Sequence, residues 1–177
     1  GGLDTGTKAN NTWYYCYSIY NPTTGASDAL FTATYGAPTM PVGFTKKDFI
    51  HCVRTDSSGN IITGSYLNDK TFVFTNQLLV VSSLAGTGTV TNLTPSLPTQ
   101  SFSSMSLATT SGGSSDFYVK GNLQSGTSQV SRIATNNGFG TAGTGVIFAD
   151  DGAVTYGNNT ISGGVTAQTA ALISYKL

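Results

Sequence analysis

The chain has 177 residues, 22 of them glycine, and charged side chains make up only 9% of it. Eight bases balance eight acids, which excludes the basic footprint of a nucleic-acid binder or of a protein drawn to anionic membranes. No apolar run reaches the 18 or so residues of a membrane-spanning helix, and no Cys/His cluster has metal-ligand spacing.

The length fits one β-sandwich domain over 1–177 with a real core, with a possible sub-division near residue 84. Ser and Thr, roughly a quarter of the chain against ordinary usage, keep the surface wet in place of charge. Short β-branched and aromatic runs are separated by Gly, Asn, Asp, Ser or Pro, and no helical stripe is sustained. The first predicted strand is Thr12 to Tyr20, with Trp13, Tyr15, Tyr17 and Ile19 on one face and Tyr14, Cys16, Ser18 and Tyr20 on the other. Asn21-Pro22-Thr23-Thr24-Gly25 is a turn, and Ala29 to Thr34 returns from it as a hairpin partner. Lys47 to Thr55 is the third strand, reading Phe49, His51 and Val53 onto one face. Asp56-Ser57-Ser58-Gly59 then turns into Asn60 to Ser65.

Thr71 to Thr75 and Leu78 to Ser82 read as a hairpin around Asn76-Gln77. Thr87 to Pro98 reads as loop or edge strand. Further strands are expected at Ser101 to Ala108, Asp116 to Gly121, Gln129 to Thr135, Gly145 to Ala149, Ala153 to Tyr156 and Ala170 to Lys176, with a turn at Asp150-Asp151-Gly152 and a glycine-rich loop at Gly138 to Gly145. The expected class is all-β, an antiparallel β-sandwich of jelly-roll type.

Little of this points to catalysis. His51 is the single histidine, and a neighbour in a strand faces the other way, so His51 and Cys52 cannot act as base and nucleophile. There is no Glu, and the eight Asp sit beside turn residues, poor material for the carboxylate pair of a glycosidase. Asp4-Thr5-Gly6 matches the aspartic-protease triplet over three residues only. No catalytic residue, cofactor or metal is expected. Aromatics supply the remaining chemistry, because a tyrosine face packs against the apolar side of a pyranose. The candidate ligand-binding residues are Tyr14, Tyr20, Tyr35, Tyr66 and Tyr156, with Asn136 and Asn137 in a polar loop. Rigid β scaffolds carry function on loops, so the segments Thr109 to Ser115 and Asn136 to Thr144 are the favoured places.

One ordered set of segments is more specific. Gly1-Gly2-Leu3-Asp4-Thr5-Gly6, Asn11-Thr12-Trp13-Tyr14, Pro38-Thr39-Met40-Pro41-Val42-Gly43-Phe44 and Thr55-Asp56-Ser57-Ser58-Gly59-Asn60-Ile61 follow one another in the first third of the chain. Together they resemble a domain found near the ends of tail fibres and tail-spike-like proteins of tailed bacteriophages and prophages. The resemblance implies the C-terminal part of a longer fibre protein, made in the host cytoplasm and carried on the virion. It implies a homotrimer that contacts other virion proteins and attaches to a bacterial surface polysaccharide or outer-membrane protein, with no membrane insertion and no nucleic acid. It transfers no active site. Assembly in a reducing cytosol favours two buried thiols at Cys16 and Cys52, with a strand-bridging disulfide as the alternative. The alternatives to attachment are a structural trimerisation, connector or head-fibre module, and a carbohydrate-binding module or adhesin.

Overall fold

The computed structural model describes residues 2–67, 70–81, 91–93, 98–99, 101–110, 113–121, 129–132, 142–149, 154–163 and 167–176. The protein is all-β: among the described residues every regular element is a strand and none is a helix. Its residues gather into two compact units, Gly1–Ile62 and Thr63–Leu177.

The first unit holds four strands, β1 (Gly2–Leu3), β2 (Trp13–Tyr20), β3 (Ser27–Thr32) and β4 (Lys46–Arg54), in the order β1-β3-β2-β4. β2 and β3 form the expected antiparallel hairpin, β4 pairs antiparallel with the other side of β2, and β1 runs parallel to β3. Local chemistry explains the hairpin. The Asn21 side-chain oxygen accepts the Thr23 and Thr24 amides at 3.0 and 3.2 Å, and the Asn21 amide donates to the Ala26 carbonyl at 2.9 Å. Gly43, at φ +85°, packs on that turn, where a Cβ would lie 2.5 Å from the Asn21 side-chain nitrogen Nδ2.

The β2–β4 register shifts by one residue. Cys16 pairs with His51 and Tyr17 with Phe49, so Ile50 is an extra residue in a β-bulge. This corrects the expected alternation along β4. Phe49 joins the face of Tyr15, Tyr17 and Cys52, while His51 and Val53 share the face of Tyr14 and Cys16. On the first of these faces Tyr15, Tyr17, Tyr35 and Phe49 interlock edge to face, with ring centroids 5.2 to 6.4 Å apart. Ile19, Leu30 and Trp13 are buried on the same face. Cys16 and Cys52 are both buried and neither forms a disulfide; their register partners set them on opposite faces of the sheet.

The second unit contains β5 (Gly64–Tyr66), β6 (Thr71–Val81), β7 (Thr91–Leu93), β8 (Ser101–Thr110), β9 (Gly113–Gly121), β10 (Gln129–Arg132), β11 (Ala142–Ala149), β12 (Val154–Gly163) and β13 (Ala167–Lys176). They make two sheets, ordered β10-β9-β12-β7 and β11-β8-β13-β6-β5. The registers show how the two sheets are related. β9 pairs with β10 from Gly121↔Gln129 to Tyr118↔Arg132, and β8 pairs with β11 from Ala108↔Ala142 to Ser101↔Ala149. Both ladders keep one register about the connecting segment 122–128. On the other flank β9 pairs with β12 as far as Gly113↔Gly163, and β8 resumes with β13 at Thr110↔Ala167. The sheets are therefore built from the same antiparallel ribbon, each long strand contributing one half to either sheet. β6 and β7 extend the ribbon in the same way along β13 and β12.

Two expectations are corrected here. Asn76-Gln77 is no turn: β6 runs unbroken from Thr71 to Val81, and the pair falls in the irregular stretch of its ladder with β13, between Val73 (opposite Ser174) and Leu78 (opposite Leu172), so a bulge in a continuous strand takes the place of the turn. Thr109, Thr110 and residues 113–115 are strand, not loop, since the ribbon pairs up to both of its ends there. The Asp150-Asp151-Gly152 turn and residues 138–141 of the expected glycine-rich loop lie outside the described residues, and residues 142–145 of that loop are strand, the start of β11.

Candidate functional site

The first unit carries two neighbouring clefts that share the Tyr14 ring. One, about 220 Å³, is lined by six threonines (Thr5, Thr7, Thr12, Thr32, Thr34 and Thr39) with Asp4, Tyr14 and three alanines. The other, about 230 Å³, is apolar, lined by Leu3, Phe31, Val53, Ile61 and the stem of Lys8.

The hydroxyl-lined cleft is held open by a small number of bonds. The Asp4 amide donates to the Phe31 carbonyl at 2.8 Å, continuing the β1–β3 pairing. One Asp4 oxygen accepts the Thr5 amide at 2.8 Å and the other accepts the Thr39 amide at 2.9 Å, tying the 33–45 segment to the chain start. Burial pushes the Asp4 carboxyl up, but hydrogen bonds from the Thr39 amide, the Thr32 hydroxyl and the Thr5 amide and hydroxyl outweigh it and leave its pKa lowered. The Tyr14 hydroxyl accepts the Ala9 amide at 2.7 Å, fixing the ring against residues 5–12.

Thr55 holds the far side. It is fully buried, its hydroxyl accepts the Thr12 amide at 2.9 Å, and it lies 2.8 Å from the Ala9 carbonyl that it donates to. The adjoining Asp56 turn is locked by Ser58 and Asn60 amides, each 2.8 Å from the same Asp56 oxygen. These bonds, and Gly59 at φ +80°, keep Asp56 ionised and away from the cleft. Asp4 is the one carboxylate on the described walls of the polar cleft.

The expected site residues do not converge. Tyr14 and Tyr20 share a face of β2 but stand six residues apart, about 20 Å along a strand. Tyr14 is buried and Tyr20 is 41% exposed. Tyr35 lies on the opposite face of the sheet, packed on Tyr15 and Phe49. Tyr66, 46% exposed, belongs to the second unit, its ring 4.8 Å from Phe72 and its hydroxyl 3.3 Å from that of Tyr175. Tyr156 is mid-strand in β12, paired with Thr91 and Val119. Asn136 and Asn137 lie outside the described residues.

Sequence reasoning singled out Tyr14 but not the threonines around it. Thr5, Thr7, Thr12, Thr32, Thr34 and Thr39 carry no spacing signal, being unremarkable in a chain so rich in hydroxyls. Asp4 sits in a protease-like triplet by sequence, but its bonds make it a strut of the cleft. No protein-family model matches this chain, and no curated protein matches it.

Proposed function

We propose that this chain is a host-attachment domain of the tail-fibre type, which binds a bacterial surface glycan through the threonine-lined cleft beside Tyr14 and leaves it intact. The observation that carries the reading is the cleft itself. The exposed threonines Thr5, Thr7, Thr34 and Thr39 and an ionised carboxylate are groups that hydrogen-bond sugar hydroxyls, and the buried Tyr14 gives the cleft an apolar base. A single carboxylate cannot divide acid and nucleophile roles, and one held ionised is a poor general acid, so binding without cleavage fits the geometry. The ordered tail-fibre-like segments supply Asp4, Thr5, Thr12, Tyr14 and Thr39 to that cleft, which ties the resemblance to the site.

The second unit supports a jelly-roll sandwich in this reading, because strands in the orders β10-β9-β12-β7 and β11-β8-β13-β6 are what a folded four-stranded ribbon produces. The domain acts on the virion as a homotrimer, where a neutral surface favours association and three weak sites gain avidity. A second reading, a trimerising or connector module, is favoured by the exposed apolar side chains Val42, Ile50 and Ile61.

The test is binding of the purified protein to a panel of bacterial cells and their extracted surface polysaccharides, with polysaccharide length measured afterwards. Saturable binding that leaves length unchanged and falls in Thr7→Val and Thr34→Val supports attachment. Shortening of the polysaccharide overturns the non-cleaving role. A trimer that binds nothing in the panel replaces attachment with the connector reading, and binding only to protease-sensitive cell surfaces moves the ligand to an outer-membrane protein.

A further inference from the structure

Arg54 closes β4 and pairs across the sheet with Trp13, the first residue of β2. Its guanidinium carbon sits 6.0 Å from the centre of the buried Trp13 ring. Arg54 is partly buried, and burial depresses its pKa, yet a guanidinium remains charged at any physiological pH. Its Nε is buried with no hydrogen-bond partner. Among the described residues no carboxylate pairs with it and no acceptor takes its terminal nitrogens, which are not buried. The nearest acid in sequence, Asp56, is engaged by the 56–60 turn.

A partly desolvated cation without an anion is costly in a fold that could place Met or Leu there. The planar fork, backed by an indole face and open at its end, has the geometry that binds a carboxylate through two parallel hydrogen bonds. We propose that Arg54, backed by Trp13, is a binding site for the carboxylate of an acidic sugar residue, of uronic or nonulosonic type. This inference rests on the glycan-binding reading above. It also divides the labour in the first unit. The cleft that holds the ionised Asp4 repels acidic sugars and takes neutral ones, while Thr12 and Tyr14, which flank Trp13 in sequence, serve that cleft and Trp13 serves Arg54.

The experiment is calorimetric titration of the whole chain and of Arg54→Met and Arg54→Lys with two probes, a galacturonic acid trisaccharide and a neutral mannose trisaccharide. The expected result is binding of the acidic probe that weakens at least tenfold in Arg54→Met and several-fold in Arg54→Lys, which keeps charge but lacks the fork. Neutral-probe affinity stays within twofold of the parent, and the melting temperature of Arg54→Met holds or rises. Acidic-probe binding that is equal in all three proteins, or absent while the neutral probe still binds, overturns the Arg54 site and leaves the glycan reading standing. No binding of either probe by any of the three overturns the Arg54 site, while the glycan reading falls only if the polysaccharide panel above also shows no binding.

Discussion

The two units use tyrosine in different ways. In the first, tyrosine hydroxyls fasten loops to the sheet: Tyr14 accepts the Ala9 amide and Tyr17 accepts the Gly36 amide, each at 2.7 Å. Lys47 adds to this by bonding the Gly36 carbonyl while lying over the Tyr17 ring. Rings pack on one another in both units, through Tyr15, Tyr17, Tyr35 and Phe49 in the first and around Phe72 in the second. Phe72 sits between Tyr66, Phe74 and Tyr175 at centroid distances of 4.8 to 5.3 Å, and the hydroxyls of Tyr66 and Tyr175 face each other. A sheet whose aromatics hold loops can shape clefts. Both described clefts lie in the first unit.

That contrast can be broken at its apolar end first. Leu172, in β13, is fully buried. Leu172→Ala should destabilise the protein by about 2–5 kcal/mol, read from denaturant unfolding, because the cavity adds to the lost transfer energy. A loss under about 1 kcal/mol would mean that the ribbon relaxes around the site and is not rigid. Gly64→Ala should follow. A Cβ there meets the Phe72 ring and the Val73 carbonyl, and a backbone oxygen cannot swing aside. Overpacking of this kind costs about 1–3 kcal/mol. The near-ultraviolet circular dichroism of the aromatic stack should weaken with it.

The polar end is tested at Thr55. Thr55→Val keeps the shape but orphans the Thr12 amide, at a cost of about 1–3 kcal/mol for a buried group left unsatisfied. Its distinguishing mark is functional: glycan binding at the polar cleft should fall with stability, whereas Leu172→Ala at a temperature where it stays folded should bind as the parent does. The smallest effect concerns Asp4. Its pKa is lower folded than unfolded, so its contribution is present above the ordinary carboxyl pKa near 4 and fades as pH falls through the lowered value. Asp4→Asn should flatten the acid limb of the melting-temperature profile below about pH 4. An unchanged acid limb would show that the Thr5 and Thr39 bonds do not favour the ionised form.

Much of the fold was legible because much of it is local. The strand from Trp13 to Tyr20, the Asn21 turn and the return strand follow from period-two alternation and turn chemistry within twenty residues. The bulge at Ile50 was not legible, since an extra residue appears only against a partner strand, and it reversed the facing of Phe49 relative to His51. The Asn76-Gln77 turn failed for a related reason: the pair lies where the β6–β13 register shifts, and an irregularity in a ladder is invisible until the partner strand is known.

Chemistry divides along the same line. Composition and the short-range pattern of runs and turns determined an all-β, nearly uncharged protein rich in hydroxyls and amides, because both are read from neighbouring residues without reference to strand order. The tertiary structure decided which threonines face one cleft, that Asp4 braces Thr39 from 35 residues away, and that Arg54 meets Trp13 across a 41-residue separation in sequence. Those pairings depend on strand order and register, and a shift of one residue moves every side chain to the other face of its sheet.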